Sequence, residues 1–427
     1  MTLLILGLLL LLLFSGMPIF AALSLTSLGV LALFEGSIDS MADAVFSSLN
    51  NPLLATIPMF ALMAHIMIKA KVVDDLYEMS NTLVGHIKGG LSFATILSCT
   101  IFSTISGSSV ATALTIGSIS IPQMKRYGYR QRDTYGLIAA GGTLGILIPP
   151  SGPMILYAIV TDASIGALFL AGIIPGLMMA VLFAGYSWLQ AKRQDSVQSQ
   201  PWPGFGAVAA AFRKSIWAVL MPPLILGGIY LGVFTPGEAA AVGAVYALAV
   251  ALLVYRNVSL ADLLDCGVQT MRTSVMLFMI IAAAGMFGHA ITIIRLPAQI
   301  METVTALGLS QGGFILAVMF AIFILGMFLE TIAIILITTP IILPVMTALG
   351  IDPIWYGVML MINLELALIT PPVGMNLFVI KGITTSSLAE VTRGALPYVL
   401  LMMAGLFVTW LVPSLSLWLP QAAGFGI

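Results

Sequence analysis

Long apolar stretches alternate with short polar ones along the whole sequence. A membrane-spanning helix needs about 20 mostly apolar residues. Two stretches, 89–122 and 311–346, are long enough to cross, but Gly, Ser, Thr and Pro interrupt them near their middles. The pattern predicts an all-α protein that crosses a membrane many times. The uninterrupted candidates are 2–34, 52–70, 133–162, 164–190, 215–233, 235–255, 273–294, 355–380 and 394–418.

Short segments that mix polar and apolar residues separate these spans. We expect three of them to form helices that lie in the membrane interface: 73–88, 257–271 and 296–310. The only extended hydrophilic linker is 191–214. The first apolar run, Met1–Phe14, resembles a signal peptide but lacks a basic segment at its start. Apolar residues resume after Pro18, so we expect 2–34 to be one interrupted span.

Composition agrees with this pattern and excludes several classes of protein. Of 427 residues, 60% are hydrophobic and 8% are charged, whereas soluble domains carry roughly 25% charged residues. The net charge of −1 excludes a basic nucleic-acid binder. Cys99 and Cys266 stand in no CxxC pattern, so we expect neither a disulfide framework nor a zinc site. Without a P-loop or an HExxH motif, the sequence predicts neither an ATPase nor a metalloprotease, and we expect no enzyme.

The two halves of the chain repeat one arrangement of proline and glycine residues. A constant offset over more than 50 residues indicates a shared fold unit rather than coincidence. The matched positions are Ile121-Pro122-Gln123-Met124 with Leu343-Pro344-Val345-Met346, Ile148-Pro149-Pro150-Ser151-Gly152 with Thr370-Pro371-Pro372-Val373-Gly374, and Pro175 with Pro397, each pair 222 residues apart.

Basic residues predict that the two units are inverted. The loop 125–132 carries four basic residues, and its counterpart 347–354 carries none. Cytoplasmic loops are enriched in Lys and Arg, so the first loop should face the cytoplasm and the second the outside. Inverted repeats with broken helices are typical of secondary transporters, and a passive channel is the alternative. The predicted organisation is a first repeat (1–190, hairpin 89–122, broken helix 133–162), a cytoplasmic linker with a connecting helix (191–234) and a second repeat (235–427, hairpin 311–346, broken helix 355–381).

The broken helices carry candidate cation ligands. In 145–153, which we call the first break, Pro149 and Pro150 cannot donate hydrogen bonds and leave carbonyl groups free. Such carbonyls need a partner inside a membrane, and hard cations such as sodium prefer oxygen ligands. The segment 366–375, the second break, repeats this arrangement.

Each hairpin predicts a polar tip opposite a break. The first tip, 102–109, is rich in hydroxyl groups, and the second tip is 325–331. Backbone amides at a helix N-terminus suit an anion, and carbonyls at a helix C-terminus suit a cation. The alternative is that the hydroxyl groups bond to helix carbonyls and serve only helix packing.

Two glutamates and the three histidines are the titratable candidates for a functional role. Glu330 and Glu365 are membrane-embedded, where a carboxylate is costly. They either relay protons or cap a broken helix. His65, His86 and His289 lie near span ends, where an interfacial position explains them.

At these motifs the sequence resembles the large membrane subunit of tripartite ATP-independent periplasmic (TRAP) transporters. The resemblance rests on ISGSSVATALTIGSISIPQM (105–124), GILIPPSGPMILYAIVT (145–161), TPGEAAAVGA (235–244) and NLELALITPPVGMNLFV (363–379). Glu330 stands where the family more often has Asp. The resemblance implies an elevator-type, sodium-coupled importer of organic anions in the bacterial inner membrane. It also implies two partners, a small four-helix membrane subunit and a soluble periplasmic substrate-binding protein.

The resemblance further implies two sodium sites and a substrate site. The resemblance implies a sialic acid or a C4-dicarboxylate as the substrate, and the sequence does not decide between them. The first sodium site would involve Ser103, Ser106, Gly145, Ile148 and Pro150, and the second Gly326, Ala367, Thr370 and Pro372. Substrate would lie between the tips, near Ser108, Ser109, Ser151, Thr331 and Asn376.

Overall fold

The fold is all-helical over the residues that the computed structural model describes, 2–36 and 38–425. Four residues lie outside these ranges: Ser37, and the ends of the two predicted repeats at Met1, Gly426 and Ile427. The helices are α1 Thr2–Phe14, α2 Ile19–Phe34, α3 Ser40–Leu49, α4 Thr56–Lys69, α5 Val72–Val84, α6 Gly90–Ser106, α7 Ser109–Arg126, α8 Gln131–Leu147, α9 Gly152–Thr161, α10 Ile165–Lys192, α11 Phe205–Val219, α12 Met221–Tyr230, α13 Pro236–Ala249, α14 Leu260–Ile293, α15 Leu296–Ala306, α16 Gln311–Gly326, α17 Thr331–Ala348, α18 Pro353–Leu368, α19 Met375–Gly382, α20 Leu388–Leu411 and α21 Ser414–Ala422.

Helix starts follow the local sequence. A capping box begins α13: the Thr235 hydroxyl accepts a hydrogen bond from the Glu238 backbone amide, and the Glu238 carboxylate accepts one from the Thr235 amide. Ser259 and Asp262 form the same box at α14. In the first hairpin, Ser108 has an extended backbone and caps α7. These caps explain why long apolar helices begin at defined residues.

Seven helical segments in the described residues are long and apolar enough to cross a membrane, or eight when α11 and α12 are taken as one bent span. The chain is therefore a multi-pass membrane protein. Both interrupted stretches form helical hairpins, α6–α7 and α16–α17, and both predicted broken helices are interrupted, as α8–α9 and α18–α19.

Two segments differ from the sequence-based expectation, and the structure shows how a third is interrupted. The predicted interfacial helix 257–271 is wrong, because α14 runs without interruption from Leu260 to Ile293. No proline interrupts this stretch, and the capping box at Ser259 starts the helix early. The connecting helix begins at Phe205 rather than at 215. It bends by 44° between α11 and α12, directly before Pro222 and Pro223. The interrupted span 2–34 is two helices joined by a turn at Gly16, which has φ +84°.

Helix bounds repeat at the offset found in the sequence. Helix α7 spans 109–126 and α17 spans 331–348, so both ends differ by 222 residues. Helices α8 and α18 begin at 131 and 353, which is the same difference. The two halves therefore share an order of elements, and the inversion of one half stays a prediction.

The two broken helices form the centre of the molecule. Helix α8 is buried from Asp133 to Leu147. Helix α18 is buried from Tyr356 to Leu368. Helices α8 and α20 approach so closely that a Cβ atom on Gly136 would overlap the Gly394 carbonyl, an approach that small residues permit in membranes. The two helices that lead into the breaks, α8 and α18, therefore lie in the core.

Candidate functional site

The first tip and the first break are in direct contact. A Cβ atom on Gly145 would lie 2.6 Å from the Ser108 carbonyl oxygen, so only glycine fits there. A Cβ atom on Gly107 would lie 3.0 Å from the Pro150 carbonyl oxygen, and Gly107 has φ +58°. These close approaches place Gly145 beside Ser108 and Gly107 beside Pro150, so the first tip meets the first break.

The second tip and the second break are also in contact. The Gly374 amide donates to the Met327 carbonyl at 3.4 Å. A Cβ atom on Gly326 would lie 2.6 Å from the Cβ atom of Ala367. The pairing of each tip with one break therefore holds in both halves.

The two regions differ in exposure. Pro149 and Pro150 in the first break are buried. Their counterparts Pro371 and Pro372 in the second break are exposed, as is Val373. The first region is enclosed by protein, whereas the second opens to its surroundings.

The first region contains polar atoms without partners. The Ser103 side chain is fully buried, and its hydroxyl oxygen has no hydrogen-bond partner among the described residues. Pro149 and Pro150 lack the N–H groups that would bond to the carbonyls of Gly145 and Ile146. Unpartnered oxygens of this kind fit a sodium ion. The Ser106 hydroxyl instead pairs with Thr112 Oγ1 at 2.7 Å.

The second region offers fewer free side-chain oxygens. The Thr370 hydroxyl donates to the Leu366 carbonyl at 2.7 Å. The Thr370 amide donates to the Ala367 carbonyl at 3.1 Å. Pro371 and Pro372 again remove two backbone donors. A cation here would therefore depend mainly on backbone carbonyls.

A cavity of about 240 Å³ lies between the two tips. The first residues of four helices line it: Ser109 of α7, Gly152 of α9, Thr331 of α17 and Met375 of α19. The N-terminus of a helix carries about half a positive charge, and its free N–H groups bind anions. Among the described lining residues, Glu330 is the only charged side chain, and none is Lys, Arg or His.

The opposite wall of the cavity is mainly apolar and comes from α4 and α14. Sequence reasoning missed this wall, because its side chains resemble those of any lipid-facing or packed helix. Thr273 is its polar member, and its hydroxyl donates to the Gln269 carbonyl at 3.1 Å. The wall consists of Ile57, Phe60, Ala61, Met63, Thr273, Met276 and Leu277.

Three of the five predicted substrate residues line the cavity: Ser108, Ser109 and Thr331. Ser151 and Asn376 are fully buried and are not among its lining residues. Ser151 caps α9 by accepting from the Met154 amide at 3.5 Å. Ser109, at 3% exposure, accepts a hydrogen bond from Asn376 at 2.7 Å.

The remaining titratable candidates occupy different surroundings. Glu365 is fully buried, and its carboxylate lies next to the backbone of Leu147 at the end of α8. His86 packs edge-on against Trp202, with ring centroids 4.5 Å apart. His289 Nε2 lies 3.8 Å from a Glu35 carboxylate oxygen. His65 is on α4, within a candidate span.

The chain matches one protein family over most of its length. Residues 6–415 match the family described as "Tripartite ATP-independent periplasmic transporter, DctM component". The C4-dicarboxylate TRAP transporter large permease of Pseudomonas aeruginosa is 42% identical over 398 residues, covering 93% of each chain. The sialic acid TRAP transporter large permease of Vibrio cholerae is 32% identical over 417 residues, covering 97% of each chain.

A longer relative and a solved structure extend the comparison. The isethionate TRAP transporter permease DctMQ of Oleidesulfovibrio alaskensis is 34% identical, with 94% of this chain matching 64% of that longer protein. The crystal structure of the Alcanivorax borkumensis YdaH transporter superposes with a TM-score of 0.61 at 14% identity, covering 91% of this chain and 89% of that one. This second likeness concerns the fold alone.

Proposed function

The chain belongs to the family of TRAP transporter large permeases, and we propose that it imports a small organic anion by sodium-coupled, elevator-type transport. The observation that carries this proposal is the meeting of four helix N-termini in one cavity without a Lys, Arg or His among its described lining residues. Partial positive charges from the helix ends are suited to an anion. The family assignment supports transport rather than enzymatic chemistry.

Sodium coupling is supported by the oxygens around the first break. The residues that would hold the ion are those of the resemblance: Ser103, Ser106, Gly145, Ile148 and Pro150. The unpartnered Ser103 hydroxyl and the carbonyls freed by two prolines form a donor set suited to a hard cation. A bound sodium ion supplies positive charge next to the cavity. At the second break, Gly326, Ala367, Thr370 and Pro372 would contribute mainly carbonyl oxygens.

Elevator-type movement is supported by the contrast between the cavity walls. The tips and breaks supply most of its polar groups, including Ser106, Ser108 and Glu330. The wall from α4 and α14 is mainly apolar. If the tips and breaks move as a unit along this wall, few hydrogen bonds between the unit and the wall have to break.

The size of the cavity favours one of the two substrate classes. Ligand pockets for drug-sized molecules commonly enclose about 300–1,000 Å³, and this cavity encloses about 240 Å³. We therefore propose a C4-dicarboxylate rather than the larger sialic acid. The 42% identity to a C4-dicarboxylate permease supports the same choice.

Two partners and a location complete the proposal. The fused DctMQ relative supports a small membrane subunit as a partner. A soluble periplasmic binding protein would deliver the anion and then dissociate, so its contact should be modest in area. The complex would reside in the bacterial inner membrane.

Uptake into proteoliposomes tests the proposal. The chain is reconstituted with its small membrane subunit, and succinate is supplied with the cognate binding protein. We expect uptake that requires both an inward sodium gradient and the binding protein. Succinate that equilibrates without either would indicate a passive channel. Uptake driven by a proton gradient alone would indicate proton coupling, which the buried Glu365 and the cavity-lining Glu330 make the second candidate.

A further inference from the structure

One buried side chain connects the two halves of the candidate site. Asn376 is the second residue of α19 and is fully buried. Its Nδ2 group donates to Ser109 Oγ at 2.7 Å and to the Ala139 carbonyl at 3.1 Å. Helix α19 belongs to the second half of the chain, whereas both acceptors belong to the first. The amide therefore bridges α19 to α7 and α8.

The orientation of the Asn376 amide is fixed by its partners. A backbone carbonyl only accepts hydrogen bonds, so the group that faces Ala139 must be Nδ2. The other amide atom, Oδ1, then has no partner among the described residues although it is buried. A buried carbonyl oxygen without a donor costs free energy. Because of this cost, the contribution of Asn376 to stability does not by itself explain an amide at this position.

The corresponding position in the other half does not carry an amide. The residue 222 positions before Asn376 is Met154, which is also fully buried. The counterpart of Ser109 is Thr331. The fold unit thus tolerates an unbranched apolar side chain at this place, so the start of the helix after a break does not require asparagine.

The bridge joins the elements that carry the two candidate ion sites. Ser109 begins α7 directly after the first tip. Ala139 precedes Gly145 of the first break by six residues on the same helix, α8. Asn376 follows Pro372 of the second break by four residues. The three groups of the bridge are therefore close in sequence to both breaks or to the first tip.

We propose that Asn376 is a positioning residue that couples occupancy of the two ion sites. The inference rests on the proposed sodium coupling and adds how the two sites communicate. An ion that orders the second break fixes the start of α19, and the amide of Asn376 then fixes Ser109 and the first tip. Coupling of this kind is reciprocal, so occupancy of the first site favours the second to the same degree.

Sodium titration of the purified complex with the small membrane subunit tests the coupling without transport. Thermal unfolding is followed as sodium replaces potassium at constant ionic strength. For the unaltered chain we expect a sodium dependence with a Hill coefficient above one. Asn376→Met places the side chain of Met154 at the bridge and should lower the coefficient to about one. Loss of these hydrogen bonds should weaken apparent sodium affinity about threefold to tenfold.

Two further variants make the test specific. Ser109→Ala removes one acceptor of the Asn376 amide and should lower the Hill coefficient by a smaller amount. If Asn376→Met does not fold, this variant provides the test. Ser120→Ala removes a buried hydroxyl from α7 that donates to the Ile116 carbonyl at 2.7 Å, without crossing between the halves. It should lower stability and leave the Hill coefficient unchanged.

Three results would overturn the proposal. Asn376→Met with the coefficient of the unaltered chain would show that the bridge does not couple the sites. An equal loss of cooperativity in Ser120→Ala would make the effect a general consequence of lost stability. A coefficient of one in the unaltered chain would leave no coupling to explain. Absence of any sodium response there would refute sodium coupling itself, and that failure is visible before any variant is made.

Discussion

Removing the Ser103 hydroxyl should have opposite effects with and without sodium. Helical serines in this protein commonly donate to the carbonyl four residues earlier, as Ser80 and Ser120 do at 2.9 and 2.7 Å. The Ser103 hydroxyl is fully buried and has no such bond. An unsatisfied buried hydroxyl costs about 1–3 kcal/mol. In sodium-free buffer, Ser103→Ala should therefore be more stable than the unaltered chain by about 1 kcal/mol.

Sodium should reverse this order. A ligand at roughly 100 times its dissociation constant stabilises the folded state by about 2.7 kcal/mol. If Ser103 is a sodium ligand, the alanine variant should bind the ion about tenfold more weakly, which is worth about 1.4 kcal/mol. The stability curves of the two proteins should then cross as sodium is raised.

Two matched serines separate this effect from packing. Ser98 lies on the same helix, is fully buried and also lacks a hydrogen-bond partner among the described residues. Ser98→Ala should gain stability equally with and without sodium. Ser120→Ala should lose about 1 kcal/mol in both conditions, because its hydroxyl is bonded. Thermal unfolding in sodium and in potassium buffers measures all three. Parallel curves for Ser103→Ala and the unaltered chain would remove Ser103 from the ion site.

Other predictions address the break and the topology. Gly145→Ala would place a Cβ atom 2.6 Å from the Ser108 carbonyl oxygen, and it should raise the sodium concentration needed for half-maximal uptake about tenfold. Gly152→Ala is the control, because the nearest atom to its Cβ would be 3.9 Å away and the first tip should stay undisturbed. Pro150→Ala should abolish sodium-dependent uptake, because a restored N–H lets the helix reclaim a freed carbonyl; uptake with the parent's sodium curve would contradict this. An impermeant thiol reagent should label cysteines at positions 131 and 352 from opposite sides, and labelling from one side would end the inverted-repeat interpretation.

Much of the fold follows from the sequence, because each feature has a local cause. Apolar runs longer than a bilayer crossing predict spans. A double proline must interrupt a helix wherever the chain goes afterwards, so both breaks could be located from Pro149 and Pro371. The repeat offset then assigns each break a tip. Helix α14 was mispredicted because a change from mixed to apolar composition does not by itself end a helix.

Side-chain directions could not be predicted from the same pattern. Ser108, Ser109 and Ser151 all belong to polar motifs, yet Ser151 is turned into a helix cap and away from the cavity. Asn376 points into the core because Ala139 and Ser109 happen to present acceptors there. The direction of the Asn376 side chain thus depends on residues more than 200 positions away. The apolar wall of α4 and α14 carries no motif at all.

Electrostatics suggests why the proposed transporter would use helix ends rather than basic side chains. A Lys or Arg in the cavity would be a permanent charge that must stay paired or solvated whether or not an anion is bound. Partial charges at helix ends are part of the backbone and persist in the empty site at no such cost. Glu330 opposes an anion in the same cavity. In the proposed mechanism the empty cavity would attract an anion only weakly, and sodium bound at the nearby first break would make anion binding favourable. Binding that depends on both solutes is the property a coupled importer requires, because either solute alone would otherwise cross and dissipate its gradient.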